Sequence, residues 1–175
     1  MPQIFAETER LILREITRED AKHLFELDSD PLVHRFLGNQ PLKDISQVEP
    51  IIDHIHRQYE ENGIGRWAVI EKDTGEFTGW SGLKLEDLET NGIVNYIDLG
   101  FRFIPKYWGR GYATESGLAS VKYGFEQMGY DKICGAAHVE NHGSNKALQN
   151  CGLQFVNDFE YDGVMHKWYE LDRDR

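Results

Sequence analysis

Gly109, Arg110 and Gly111 stand directly before Tyr112-Ala113-Thr114-Glu115, a run that opens a helix. Glycine has no Cβ, so the main chain there can come close to a ligand. The first turn of a helix carries N–H groups with no partner inside the helix. The aligned peptide dipoles add partial positive charge at the same place. A strand, a glycine loop and a helix start in that order form a site for phosphate oxygens held by main-chain donors. Trp108, Gly109, Arg110, Gly111, Tyr112, Ala113 and Thr114 are the candidate donors, and the Thr114 side chain can add a hydroxyl. The Arg110 guanidinium either pairs with a phosphate or is simply solvated.

The elements that must hold this loop can be read on both sides of it. Upstream, Ile97, Leu99, Phe101 and Phe103 alternate onto one face of a strand, and Pro105 stops it. Tyr96, Asp98, Gly100 and Arg102 share the opposite face. Downstream, Leu118, Val121, Phe125 and Met128 recur at spacings of three and four and predict the buried stripe of a long helix. Lys122 and Tyr123 fall on its solvent side. Residues 132–138 follow as a strand, so 96–138 reads as a strand–helix–strand unit with a right-handed parallel crossover.

The remaining elements are predicted from the N-terminus onward. Residues 9–16 form a first strand, and Thr17 to Asp20 is a capping box before a short helix that ends near Asp30-Pro31. The short apolar piece 33–37 has no clear type. A second helix starts at Ser46-x-x-Glu49, carries Pro50 in its first turn and stops at Gly63. Residues 67–72 and 77–85 form a hairpin around Asp73-Thr74-Gly75. A short helix at 145–151 closes at Gly152. Residues 153–161 and 164–171 pair around Asp162-Gly163, a two-residue hairpin signal. About seven strands and about four helices in this order make an α/β (α+β) chain with a mixed sheet and helices on its faces.

A chain of 175 residues suits one domain with a full core. A net charge of −11 argues against a nucleic-acid backbone as partner and is compatible with a cationic substrate, although solubility alone accounts for most surface charge. The two cysteines, Cys134 and Cys151, form no CxxC or disulfide pattern and read as small core residues. With no signal peptide and no long apolar run, this points to the cytoplasm and to no membrane association. His54 and His56, two apart on a helix, do not face each other. His138 and His142 can reach a cleft, but no cysteine or acidic cluster stands at ligand spacing, so no metal is expected.

Gly109-x-Gly111-x-x-Thr114 is a partial match to the dinucleotide fingerprint. That fingerprint needs an acidic residue near the end of the following strand. Asp131 stands at the wrong end of that strand and His138 at the right one. The Walker pattern G-x-x-x-x-G-K-[ST] is absent. A second reading fits more of the chain. Glu9-Arg10-Leu11-Ile12-Leu13-Arg14 with Thr17 to Asp20, the hairpin from Trp67 through Gly79-Trp80-Ser81-Gly82-Leu83, Asp98-Leu99-Gly100-Phe101 through Tyr107-Trp108-Gly109-Arg110-Gly111-Tyr112-Ala113-Thr114-Glu115, and Asn141-x-x-Ser144 with Gly152-Leu153 occur in order. Together they resemble the GNAT superfamily of N-acetyltransferases, in particular the branch of the ribosomal-protein alanine acetyltransferases. The resemblance covers residues 1–175 as a single domain. Lys106 departs from the superfamily pattern, which has Gln or Arg in that place.

The resemblance implies a mostly antiparallel central sheet with a splayed parallel pair at the cofactor site. It implies acetyl-CoA as cosubstrate, with pyrophosphate on 108–114 and the pantetheine arm along the exposed main chain of Phe101, Arg102 and Phe103. A main-chain donor there would also polarise the thioester carbonyl. The acceptor would be an amine, either a protein N-terminus or a small molecule. The amine must attack as the free base, so a proton acceptor is needed. Asp98 is the candidate, as base or as a charge that holds the amine, with a structural ion pair as the alternative. Glu115 chiefly favours the helix dipole. Asn141 caps a turn and reaches the pantetheine, and Ser144 donates to the leaving sulfur or only caps its helix. Transfer would be direct, because no cysteine stands where an acetyl-enzyme could form. Segments 33–40 and 86–91 would line the acceptor side without a readable code. A non-catalytic acetyl-CoA-binding relative and, from the glycine loop alone, a nucleotide-dependent oxidoreductase are the alternatives. The chain is expected to be a monomer or a homodimer.

Overall fold

The computed structural model describes residues 1–174. Its strands are β1 (Ile4–Glu7), β2 (Leu11–Arg14), β3 (Arg66–Glu71), β4 (Phe77–Glu86), β5 (Tyr96–Phe103), β6 (Lys132–His138), β7 (Gln154–Tyr161) and β8 (Val164–Asp172). Its helices are α1 (Ala21–Asp28), α2 (Pro31–His34), α3 (Val48–Asn62), α4 (Tyr112–Glu126) and α5 (His142–Asn150). All the strands belong to one sheet, ordered β1-β2-β3-β4-β5-β6-β8-β7. Every neighbouring pair is antiparallel except β5 and β6, which run parallel. Among the described residues no helix is long and apolar enough to cross a membrane.

The mixed sheet, the parallel unit and both hairpins are as the residue pattern predicts. Asp162 and Gly163 both take positive φ, as a tight two-residue turn requires. Four local readings are corrected. An eighth strand, β1, precedes the predicted first one. It is a four-residue edge strand with a register shift, too short to show alternation, and Phe5 from it stacks on Trp67 at 4.9 Å between ring centroids. Residues 31–34 are helical because Asp30 accepts from the Leu32 N–H with Pro31 in the first turn. The cap before α3 is Asp44 and not Ser46. The Asp44 carboxylate accepts from the Ser46 N–H, and Gln47 reaches back to the N–H groups of Lys43 and Asp44. Thr17 and Asp20 do pair as expected, the Thr17 N–H donating to Asp20 at 2.8 Å.

The fourth correction concerns α4, whose buried face is made of small residues. Ser116, Gly117, Ser120, Val121 and Gly124 are buried, while Leu118 is 47% exposed. Tyr123 lies against the core and meets Trp67 edge-on at 4.9 Å. Small residues let the helix axis approach the sheet closely. A Cβ on Gly117 would sit 2.5 Å from Cys151 Sγ, and one on Gly124 would sit 2.6 Å from Leu83 Cδ1. On the other face of the sheet, α1 packs through His23 on Phe77 and Asp28 on Arg102, with α3 against α1. The apolar core falls into two clusters, one around Leu11, Trp67 and Ile52 that draws on both α4 and the α1–α3 side, the other around Leu83, Leu99 and Leu148.

Gly117→Val should lower stability by about 1–3 kcal/mol through overpacking. Thermal unfolding of the single variant and of its combination with Cys151→Ala checks this: the penalty should shrink when the sulfur is removed. An equal penalty in both backgrounds would show that α4 does not depend on this approach.

Candidate active site

β5 pairs with β4 along its whole length, from Phe103 opposite Gly79 to Tyr96 opposite Glu86. Toward β6 it has a single pair, Asp98 with Cys134. Beyond that point the two parallel strands separate, and a cleft of about 1180 Å³ opens between them. Main-chain groups on a strand point alternately to either side. The Ile104 N–H donates to Thr78 O on the β4 side, and the Trp108 indole donates to Phe103 O on the other. The main-chain groups of Phe101 and Phe103 therefore face the open edge. Those of Arg102 face β4, so of this residue the side chain, not the peptide, borders the cleft.

The glycine loop lies at the mouth of the cleft. Gly109 and Gly111 take φ of 74° and 82°, a left-handed conformation that only glycine adopts without strain. Gly111 caps α4, and the first bond of the helix runs from the Glu115 N–H to Gly111 O. The N–H groups of Tyr112, Ala113 and Thr114 are thus the open donors of the first turn. Trp108 differs from its predicted part: its N–H closes a turn onto Pro105 O, and its half-exposed ring borders the cleft. Arg110 reaches Glu71 at 3.4 Å and lies over the Tyr107 ring. The Tyr112 hydroxyl also donates to Glu71. That bond, and a second from Thr74, hold the Glu71 carboxyl below its ordinary range.

Glu115 has a definite set of partners. Its carboxylate accepts from the Thr8 hydroxyl at 2.6 Å, the Arg10 N–H at 3.0 Å and the Arg10 guanidinium at 2.7 Å. It ties the β1–β2 turn to the start of α4. Burial raises its carboxyl, but the Thr8 and Arg10 bonds outweigh burial and hold it below the ordinary glutamate range.

Asp98 stands on the cleft floor with Arg66, a residue the sequence gave no reason to single out. The Arg66 guanidinium donates to the Asp98 carboxylate at 2.6 Å, to Asp98 O at 3.0 Å and to Gly82 O at 2.6 Å. Gly100 makes room for it, since a Cβ there would lie 2.7 Å from the guanidinium. Arg66 and Arg102 each lie 5.1 Å from the Trp80 ring centroid, and Arg102 is anchored on Asp28 at 2.8 Å. Asp98 thus has an ion pair, as its structural alternative expects, but with β3 across β4 and not with a neighbouring strand; it still borders the cleft, with its side chain 20% exposed.

α5 begins at the far wall. The Asn141 carboxamide accepts from the Ser144 N–H, so Asn141 is the cap and the Ser144 hydroxyl is not used for capping. Asn145 holds the helix to the sheet, donating to His138 O and accepting from the Tyr169 hydroxyl. Asn141, Ser144, His138, His142 and His166 all border the cleft. Leu32, Val33, Arg35, Phe36 and Leu37 also line the cleft, with Phe36 packed against His138. Segment 86–91 does not border the cleft: Asn91 pairs its carboxamide with that of Asn157 on β7. Among the described residues no group of three or more His, Cys, Asp or Glu is placed to hold a metal. Burial pushes the thiols of both Cys134 and Cys151 up to about 12.

A splayed parallel pair with a glycine loop and a helix start at its mouth forms an open strand edge beside a set of unpaired N–H donors. The acetyltransferase (GNAT) domain family matches residues 10–154. An uncharacterized N-acetyltransferase of Bacillus subtilis, YoaA, is 30% identical over 162 residues, covering 93% of this chain and 86% of its own. The same fold recurs in a putative GNAT-family acetyltransferase from Bordetella pertussis, with TM-score 0.82, 19% identity and coverage of 96% and 98%. It recurs also in a spermidine N-acetyltransferase from Vibrio cholerae in complex with CoA and spermine, with TM-score 0.75, 18% identity and coverage of 95% and 98%. The chain belongs to the GNAT family and is an N-acetyltransferase, moving an acetyl group to an amine.

Glu115→Gln should lower the melting temperature at pH 7. A carboxyl depressed in the folded state stabilises the fold above its unfolded value, about 4.3, and loses that contribution as pH falls through the folded value. The gap between wild type and variant should therefore narrow as melting is followed into acid. A gap that stays constant down to pH 3 would remove the assigned role.

Proposed function

We propose that the cleft binds acetyl-CoA and passes its acetyl group directly to a primary amine, within one catalytic domain spanning residues 1–175. The observation that carries this reading is the single β5–β6 pair, which leaves the Phe101–Phe103 edge open in line with the unpaired N–H groups of α4. Pyrophosphate would lie on the N–H groups of 109–114, with the Thr114 hydroxyl and Arg110 beside it. The pantetheine amides would pair with the open N–H and C=O of Phe101 and the N–H of Phe103, the Phe103 carbonyl being held by the Trp108 indole. Asn141 would reach the pantetheine arm, and Ser144 would donate to the sulfur as the thiolate departs. Direct transfer is supported by the two thiols, which are buried and held protonated, so neither is a ready nucleophile.

Asp98 would attract the incoming ammonium and orient it over the thioester, its own position fixed by Arg66. The acceptor is a protein N-terminus or a small-molecule amine. The spermine complex of the Vibrio cholerae neighbour makes a polyamine one member of that class. Two buried, unbridged cysteines fit a reducing cytoplasm. The protein would work as a monomer or homodimer, without metal, nucleic acid or membrane.

Calorimetric titration with acetyl-CoA tests the cofactor site. Wild type should bind, and Gly111→Trp, which places a large side chain at a left-handed position beside Arg10, should weaken binding more than tenfold while remaining folded by circular dichroism. Ser144→Ala should keep acetyl-CoA affinity and lose about tenfold in kcat, the worth of one hydrogen bond of roughly 1.4 kcal/mol. Binding of NAD but not of acetyl-CoA by folded wild type would overturn the reading.

A further inference from the structure

His138, the last residue of β6, stands directly opposite His166 on β8. Their rings lie 5.7 Å apart at 65°, and both border the cleft with Asp98 and Ser144. Main-chain partners fix the tautomer of each ring. The Glu140 N–H donates to His138 Nδ1 at 3.0 Å. An amide N–H can only donate, so His138 Nδ1 carries the lone pair and the neutral ring has its hydrogen on Nε2. His166 Nδ1 lies 3.0 Å from Val164 O. A carbonyl can only accept, so His166 Nδ1 carries the hydrogen and the neutral ring has its lone pair on Nε2. Two histidines side by side thus present opposite faces of the same chemistry: one an acceptor at Nε2, the other a donor. Aromatic rings pack both in place, Phe36 on His138 at 5.0 Å, and Phe159 and Tyr161 on His166 at 5.8 and 5.7 Å.

The geometry points to His166 as the proton acceptor for the attacking amine, with His138 as the donor beside it. This rests on the reading of the cleft as the acetyl-transfer site. Asp98 is held by Arg66, whereas His166 Nε2 has no bond among the described residues. The amine nitrogen forms its bond to the thioester carbonyl carbon, and one N–H proton passes to His166 Nε2. The C–S bond breaks, and its electron pair leaves on the coenzyme sulfur, which accepts a hydrogen bond from the Ser144 hydroxyl and takes its proton from solvent. The imidazolium returns its proton to solvent at the mouth. The charged and titratable groups around the pair are Tyr161 on β7, Lys167 on β8, Glu140 in the turn, His142 and Lys146 on α5, and Arg35 beyond α2.

The test uses His166→Asn, whose carboxamide can still donate to Val164 O but has no group in place of Nε2. Acetyl-CoA affinity is measured by calorimetry. Thiol release is followed against pH with spermidine and with an alanine-terminated peptide as acceptors. The variant should keep acetyl-CoA affinity within about twofold, lose about a hundredfold or more in kcat, and lose the fall in rate on the acid side that an imidazole base imposes. A variant with wild-type kcat and an unchanged pH profile overturns the assignment while leaving acetyl transfer intact. Wild type that binds acetyl-CoA yet turns over neither acceptor removes both readings for these amines. Long-range 15N–1H NMR of the wild type provides a readout that needs no turnover: His166 should appear as the Nδ1–H tautomer and His138 as the Nε2–H tautomer, and the reverse pattern overturns the proposal.

Discussion

The structure turns on the failure of two neighbouring strands to close. β5 meets β6 at one pair of residues, while β5 is fully paired to β4 and β6 to β8 along its length. Unpaired main-chain groups are costly when buried. The open edge is therefore tolerated only because it faces a cleft where water or a ligand can satisfy it. α4 spans the gap and joins the two halves. Its close approach depends on Gly117 and Gly124, and Gly135 on β6 likewise makes room for Leu148 and Leu153. The same helix presents its N-terminus, with the open N–H groups of its first turn, to the mouth of the cleft.

The cleft floor shows a second constraint, the placement of charge. The chain is acidic overall, yet two arginines flank Trp80 and each is matched by a carboxylate, Asp98 for Arg66 and Asp28 for Arg102. These pairs are only partly exposed, so water screens them less than it would a surface pair. They fix a polar floor that need not reorganise when a ligand enters the cleft. Gly100 is part of this device, because any side chain there would displace Arg66. Net charge describes the surface of this protein and says little about its site.

Much of this was legible in the residue order. The alternation from Ile97 to Phe103, the glycine loop and the helix start at Tyr112 depend on neighbours in sequence, and so do the hairpin turns at Gly75 and at Asp162-Gly163. Local sterics and hydrogen bonding decide such features, so they can be read without a fold. The reading failed where a tertiary partner overrides the local signal. Leu118 matches a helical stripe yet faces solvent, because the sheet selects the glycine and serine face of α4. Asp44, not Ser46, caps the segment before α3, because two equally sound local capping patterns overlap there.

Sequence alone determined most of the order of elements and the glycine loop before α4, since each rests on contiguous residues with fixed geometric preferences, and the class of chemistry followed from the family that these motifs resemble. Only the tertiary structure decided what Asp98 and Glu115 hold, that Arg66 shares the cleft floor, and that His138 and His166 stand side by side. These residues lie on strands and on α4, far apart in the chain. Their chemistry depends on partners that are brought within hydrogen-bond distance only when the sheet assembles in its register.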